Sequence, residues 1–215
     1  MSPETTQASA IYQLNVLLAA GGLATLDNIA GERFDRYLAL LVRWNARVNL
    51  TSIRDIDEML PRHFVESIAC AQALPAGIRT LLDFGSGAGF PGIPIALCRP
   101  EMAVTLTESQ GKKAAFLREA IRVLGISVKV SNQRAEKLDV EFDCVVLRAV
   151  DRMKEAVQGA VRLVAPKGWL ALMTTVGECE RLKAAAGCEF GWREPVPLPG
   201  GQNRVLVLGS RADNL

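Results

Sequence analysis

The stretch LLDFGSGAGFPGIP, residues 81–94, decides how the rest of the chain is read. Apolar residues suited to a short buried strand run into Asp83, and glycines follow at alternate positions, Gly85, Gly87 and Gly89. A strand that ends in glycines and then opens a helix lets a ligand reach the backbone without Cβ interference. The dinucleotide fingerprint G-x-G-x-x-G would place its third glycine at Phe90, so pyrophosphate binding of the dehydrogenase kind is disfavoured. The spacing present is D-x-G-x-G-x-G. Taken alone, it serves a nucleoside or nucleotide site and a tight structural turn equally well.

On the two sides of this loop the hydrophobic period differs. Before it, residues 9–20 read as a short helix ended by Gly21 and Gly22. Phe34, Tyr37, Leu38, Leu41, Asn45 and Val48 then recur at three- and four-residue steps, which predicts a helix over 31–47 with one mainly apolar face. Asp55 and Asp57 can cap further turns, and Pro61 suits the first turn of a helix reaching about Ala73. Residues 1–75 are therefore expected to form an all-helical extension. From residue 76 to 215 strands are expected at 79–84, 103–108, 126–131, 142–147, 168–175 and 203–209, with another near 188–194. Helices fall between most of them, at 91–98, 110–124, 151–164 and 178–186. Such alternation makes an α/β fold with a mostly parallel sheet and helices on both faces. The last two strands are joined only by VPLPGGQ, so they should close the sheet as an antiparallel pair. Ligands of such sheets bind at the carboxyl ends of the strands, near the topological switch point, where the glycine loop lies.

Bulk properties exclude several classes. A chain of 215 residues, 49% hydrophobic and 22% charged, has the makings of a full core, and a net charge of +2 does not by itself imply a nucleic-acid partner. The five cysteines (Cys70, Cys98, Cys144, Cys179, Cys188) form no C-x-x-C pair and read as reduced thiols. With a single histidine, no metal site is expected. MSPETTQASA lacks the positive start of a secretory leader, and the apolar stretch after it is too short to span a bilayer. The expectation is a cytoplasmic protein with no membrane partner.

Chemistry-bearing residues gather at the expected strand ends. Glu108 closes the second strand about 20 residues after the glycine loop, where a carboxylate can accept hydrogen bonds from both ribose hydroxyls. The alternative for it is a helix-capping carboxylate. Gln133, Arg134, Ala135 and Glu136 follow the third strand, and Arg148 ends the otherwise apolar fourth. An arginine there should face a cleft and pair with a cofactor carboxylate or an RNA phosphate, a salt bridge being the alternative.

The ordered set WNARVNLTSIRD, RHFVESI, LLDFGSGAGFPGIPIA, TLTESQGKKAAFL, QRAE and FDCVVLRAV resembles the RsmG family, also called glucose-inhibited division protein B. These are 16S ribosomal RNA guanine-N7 methyltransferases of the small ribosomal subunit. The resemblance runs from about Tyr37 to about Gly168. It implies a class I S-adenosylmethionine-dependent methyltransferase, Rossmann-like with a mostly parallel seven-stranded sheet, carrying an RNA-facing helical extension. It further implies S-adenosylmethionine contacts from Asp83, Gly85, Gly87, Gly89, Phe90, Ser109, Ala135, Glu136 and Arg148, with Glu108 on the ribose. Asn45, Asn49, Arg134 and Arg148 are expected at the rim of the methyl-transfer site, in positioning roles. Three departures stand out: Glu66 where the family often has Asp, no Lys-Gly after the fifth strand, where this chain reads Thr174, Thr175, Val176 and Gly177, and a first 30 residues without a matching motif. No general base is expected, because guanine N7 has a free lone pair, and His63 reads as a packed residue at the junction with the extension. Arg33, Arg36, Arg43, Arg47, Arg54 and Arg62, continued by Lys112, Lys113, Arg118 and Arg122, form the candidate RNA face of a monomer. Another RNA, a small molecule or a protein is the alternative substrate.

Overall fold

The computed structural model describes residues 3–213. Eight strands alternate with helices after a helical start. The helices are α1 (Pro3–Ala20), α2 (Asn28–Val48), α3 (Ile56–Met59), α4 (Glu66–Ala73), α5 (Gly92–Cys98), α6 (Gly111–Leu124), α7 (Met153–Val161) and α8 (Cys179–Ala186). The strands are β1 (Thr80–Phe84), β2 (Ala103–Thr107), β3 (Val128–Ser131), β4 (Phe142–Arg148), β5 (Val164–Thr175), β6 (Phe190–Trp192), β7 (Val196–Pro197) and β8 (Arg204–Arg211).

The sheet runs β3-β2-β1-β4-β5-β8-β6, with β7 attached to β8. The first five strands are parallel, and β8 runs antiparallel to β5, β6 and β7. The order reverses between β1 and β4, so the glycine loop sits at the switch point, as the sequence implies. The expected seven strands become eight because Val196 and Pro197 pair with Leu206 and Val205. Several bounds differ from expectation, three of them for local reasons visible in the backbone. Gly125 is left-handed at the end of α6, and Ile126 N–H bonds back to Ile121 C=O, so β3 begins at Val128 instead of 126. A register shift against β4, around a left-handed Lys167, hides the first rung of β5 at Val164. Arg152 is also left-handed and delays α7 to Met153.

The strand alternation divides the interior into two layers. Leu81, Cys144, Val146, Ala171, Met173 and Leu206 face α5, α6 and the N-terminal helices. Leu82, Phe84, Val145, Leu147, Leu170 and Val207 face α7 and α8. Leu14, Leu18, Phe34, Tyr37, Phe64 and Ile68 of the extension belong to the first layer, so the core is continuous across the change near residue 75. As the period predicts, Phe34, Tyr37, Leu38, Leu41 and Asn45 form the buried face of α2, and Asp27 caps its start. The helix expected to run from Pro61 to Ala73 contains a π-helical stretch, Leu60–Val65, before α4. Such wide turns are frequent near functional sites. Cys70, Cys144 and Cys179 are buried, Cys98 is half-buried and Cys188 exposed, and all five are free. Among the described residues no helix is long and apolar enough to cross a membrane, and no cluster of metal-binding side chains occurs.

Helix α2 reaches the glycine loop through one buried group. Tyr37 Oη donates to Ala88 C=O at 2.6 Å, with its ring against Phe64 and Phe90. Burial, with Asp83 adding to it, pushes the phenol well above its usual pKa, so it stays a donor. Tyr37→Phe should leave that carbonyl unpartnered and lower unfolding stability by about 1–3 kcal/mol, read as a shift of the urea midpoint at constant slope.

Candidate active site

The loop after β1 is closed by its own polar groups. Asp83 Oδ2 accepts from Gly92 N–H at 3.0 Å, and Ser86 Oγ donates to Asp83 C=O at 3.1 Å. Thr107 at the end of β2 ties in from the side, donating from Oγ1 to Asp83 C=O at 3.0 Å and accepting from Gly85 N–H at 3.1 Å. Gly85, Gly87 and Gly89 all have positive φ, which explains the alternating glycines. They serve different ends. A Cβ on Gly87 would meet nothing within 4 Å, whereas one on Gly89 would stand 2.8 Å from Tyr37 Oη. Gly87 thus opens on a cleft, and Gly89 makes room for the extension.

That cleft, of about 540 Å³, lies over the carboxyl ends of β1, β2 and β3 and the loop after β4. Gly85, Gly87, Glu108, Ser109, Arg134, Ala135 and Glu136 line it, together with Gln133, Lys113 and residues 149–152. Glu108 is buried and bridges two walls: Oε2 accepts from Gly87 N–H at 3.0 Å and Oε1 from Gln110 N–H at 2.7 Å. The sequence reading assigns no site role to residues 149–152, the last two of which fall at the start of the helix expected over 151–164. Ala149 and Arg152 have positive φ, a property non-glycine residues do not advertise in sequence.

Other expected site residues lie elsewhere. Asp83 is buried under the loop, where desolvation raises its carboxyl to about 7, and its Oδ1 has no partner. Phe90 is buried against Tyr37, His63 and Phe64 instead of facing the cleft. Asn45 is also buried: its Oδ1 accepts from Thr51 N–H at 3.0 Å and its Nδ2 donates to Ile53 C=O at 3.1 Å, so it shapes the turn after α2 and is not at the rim. Asn49 ends α2 in a left-handed conformation and accepts from Arg54 Nη2 at 2.7 Å. Arg148 corrects the expectation of a cleft-facing arginine. Its side chain, 8% exposed, turns toward the extension, where Nη2 donates to Glu66 Oε2 at 3.1 Å and to Arg62 C=O.

A search against protein-family models matches residues 30–200 to the family described as rRNA small subunit methyltransferase G. The chain belongs to this family. A relative from Xanthomonas euvesicatoria pv. vesicatoria (strain 85-10), named ribosomal RNA small subunit methyltransferase G, is 42% identical over 190 residues, covering 86% of this chain and 89% of that one. One of the same name from Stenotrophomonas maltophilia (strain K279a) is 40% identical over 214 residues, covering 97% and 99%. Among solved structures, a methyltransferase from Pyrococcus furiosus superposes with a TM-score of 0.62 at 16% identity, covering 84% of this chain and 98% of that chain. The T. thermophilus 16S rRNA N2 G1207 methyltransferase, solved with AdoMet and guanosine, gives 0.54 at 18% identity, covering 71% and 40%. These likenesses establish the class I methyltransferase fold.

The segment RHFVES, residues 62–67, forms the end of the π-helical stretch and the start of α4, and from it the side chains of His63 and Glu66 and the carbonyl of Arg62 converge on Arg148. Both terminal nitrogens of Arg148 lie 3.3 Å from His63 Nδ1, which must accept, so the ring proton sits on Nε2 and donates to Thr51 Oγ1 at 2.8 Å. The imidazole stacks on Phe90, with centroids 4.9 Å apart. Burial, then the charges of Arg148 and Arg62, push its pKa down to about 3. His63 is therefore a neutral strut at the junction with the extension.

Between pH 6.5 and 3 the unfolded chain protonates this histidine and the folded one does not, so His63 makes folding less favourable as pH falls through that window. Asp83 acts with the opposite sign between 3.8 and about 7, but it is common to wild type and a His63→Gln variant. The stability difference between the two should move in favour of His63→Gln from pH 7 to pH 5, as urea midpoints at both pH values would show.

Proposed function

We propose that the protein transfers the methyl group of S-adenosylmethionine to N7 of a guanine in 16S ribosomal RNA of the small subunit. The observation that carries this reading is the conjunction of the glycine loop with buried Glu108 in one cleft, in a chain of this family. The N7 atom and the 16S target rest on the family resemblance.

The residues present fit the cofactor. Glu108 retains lone pairs after accepting from Gly87 and Gln110, enough for two ribose hydroxyls. The absence of a Cβ at Gly87 leaves the loop backbone approachable for the amino-acid part, with Gly85 and Ser109 in the same cleft lining. Ala135 and Glu136 begin a short 3-10 turn, whose first N–H groups have no partner within the turn and suit an adenine edge. A volume of about 540 Å³ is ample for a nucleoside of this size. Bound there, the cofactor supplies an electrophilic methyl group on a sulfonium.

Guanine N7 is an acceptor with a free lone pair, so no proton has to leave before attack. Catalysis then rests on orientation: this chain must hold the base in line with the methyl group. The neutral His63 and the buried Arg148 belong to the junction with the extension and supply no base. RNA binding is supported by exposed Arg43 and Arg47, which flank Trp44 around a recess of about 140 Å³ on α2. Arg134 and Lys113 extend the basic surface to the cleft mouth. Five free thiols suit the reducing cytoplasm.

Small subunits lacking the modification should accept labelled methyl groups at N7-methylguanine from the purified protein, and no incorporation would refute the reading. Glu108→Gln should weaken cofactor binding by about 10- to 100-fold in calorimetry while leaving RNA binding intact. Charge reversal at Arg43 and Arg47 together should raise the KM for RNA and flatten its salt dependence. A small-molecule substrate predicts no change in that variant.

A further inference from the structure

The carboxyl edge of the sheet has two halves, and the cleft uses only one. Over β1, β2 and β3 lies the cofactor cleft. Over β4, β5 and β8 lies a cluster built on Glu66, a carboxylate with no exposed surface. Three arginines converge on it: Arg62 Nη1 at 2.8 Å, Arg148 Nη2 at 3.1 Å and Arg204 Nη2 at 3.5 Å. Because β8 is antiparallel, its first residue, Arg204, lies at this edge in register with Thr175, while Arg148 ends β4 in register with Met173.

The charges do not balance. Three guanidiniums share one carboxylate, and buried cations are ordinarily paired in full. The guanidinium of Arg204, whose side chain is 14% exposed, donates no hydrogen bond among the described residues, and its Nε is buried without a partner, as is that of Arg148. Asp83 lies in the field of Arg148, but burial holds its carboxyl near 7, so it is only partly ionised at neutral pH. Space for a further side chain is denied from above: a Cβ on Gly201 would collide with Arg62 Nη1 and stand 3.5 Å from Glu66 Oε1. The turn 199–201 thus brings bare backbone onto the cluster. Arg62, 31% exposed, leaves one side open to solvent.

We propose that Arg62, Arg148 and Arg204, gathered by Glu66, form an anion subsite that receives a backbone phosphate of the substrate RNA next to the target base. This rests on the RNA reading above. Planar guanidiniums with unused N–H donors suit a phosphate through paired hydrogen bonds. The position favours the substrate over the cofactor, because none of the three arginines lines the cleft. Glu66 has a positioning role: it aims the guanidiniums and keeps them from repelling one another apart.

Two measurements on the full chain test this. Titration with inorganic phosphate, followed through the arginine Nε–H signals of labelled protein, should shift those of Arg148 and Arg204 saturably. Arg204→Gln should abolish the shift of Arg148. In methylation assays Arg204→Gln, and independently the more exposed Arg62→Gln, should raise the KM for small-subunit RNA about tenfold or more. S-adenosylmethionine affinity should stay within about twofold, and the salt dependence of binding should lose about one phosphate contact. Weakened cofactor binding with unchanged RNA KM would overturn the proposal in favour of the cofactor carboxylate. No phosphate-dependent shift would leave only an internal ion cluster and would equally overturn it. A phosphate shift in a protein that methylates no RNA would instead remove the RNA reading and the RNA phosphate as occupant.

Discussion

The hydrogen bond from Gly92 N–H to the buried carboxylate of Asp83 is the constraint on which the candidate site depends. It draws the start of α5 back onto the end of β1, and the intervening residues have no room except as a tight loop. A Cβ on Gly92 would stand 2.6 Å from Asp83 Oδ2, so this closure requires glycine for space as well as for its N–H. Once the loop is closed, Gly87 N–H is presented to Glu108, and the two strand ends become one wall of a cleft. Burying a carboxyl here costs free energy, visible in its raised pKa. The bond from Gly92 N–H to Asp83 Oδ2 offsets part of that cost.

The extension is not an appendage resting on a finished domain. Tyr37 bonds to the loop, Phe90 inserts between Tyr37, Phe64 and His63, and Glu66 binds the end of β4 and the start of β8. Buried ion pairs of this kind contribute little net stability, because desolvation cancels most of the attraction. Their effect is geometric: a buried carboxylate leaves Arg148 few places to go. The π-helical stretch follows the same logic, bringing the Arg62 carbonyl, His63 and Glu66 to one guanidinium.

What the sequence reading did not supply was the polar partner of each side chain, whether a few residues away or far along the chain. Asn45 has the period of a core position and the chemistry of a rim residue, and the period was the better guide, since the buried amide is consumed by Thr51 and Ile53. Asn49 is explained by the left-handed end of α2, a local role that asparagine fills readily. For Arg148 the sequence offers either a cleft or a salt bridge and cannot name the partner, because Glu66 is 82 residues earlier in the chain. Arg204 gave no hint at all. Its place beside Thr175 follows only from the antiparallel register of β8.

By itself the sequence determined the alternation of strands and helices, the switch-point loop and the acid that answers it. Those depend on hydrophobic period, on glycines that local turn geometry demands, and on a strand-to-strand spacing that the βαβ unit makes nearly constant. It also carried the ordered motifs that place the chain in its family. Only the tertiary structure decided which polar side chains face the cleft and which hold the extension against the sheet. A charged side chain is directed by the partner it meets in space, and the partners of Arg148, His63 and Arg204 come from segments whose distance along the chain bears no relation to their distance in the fold.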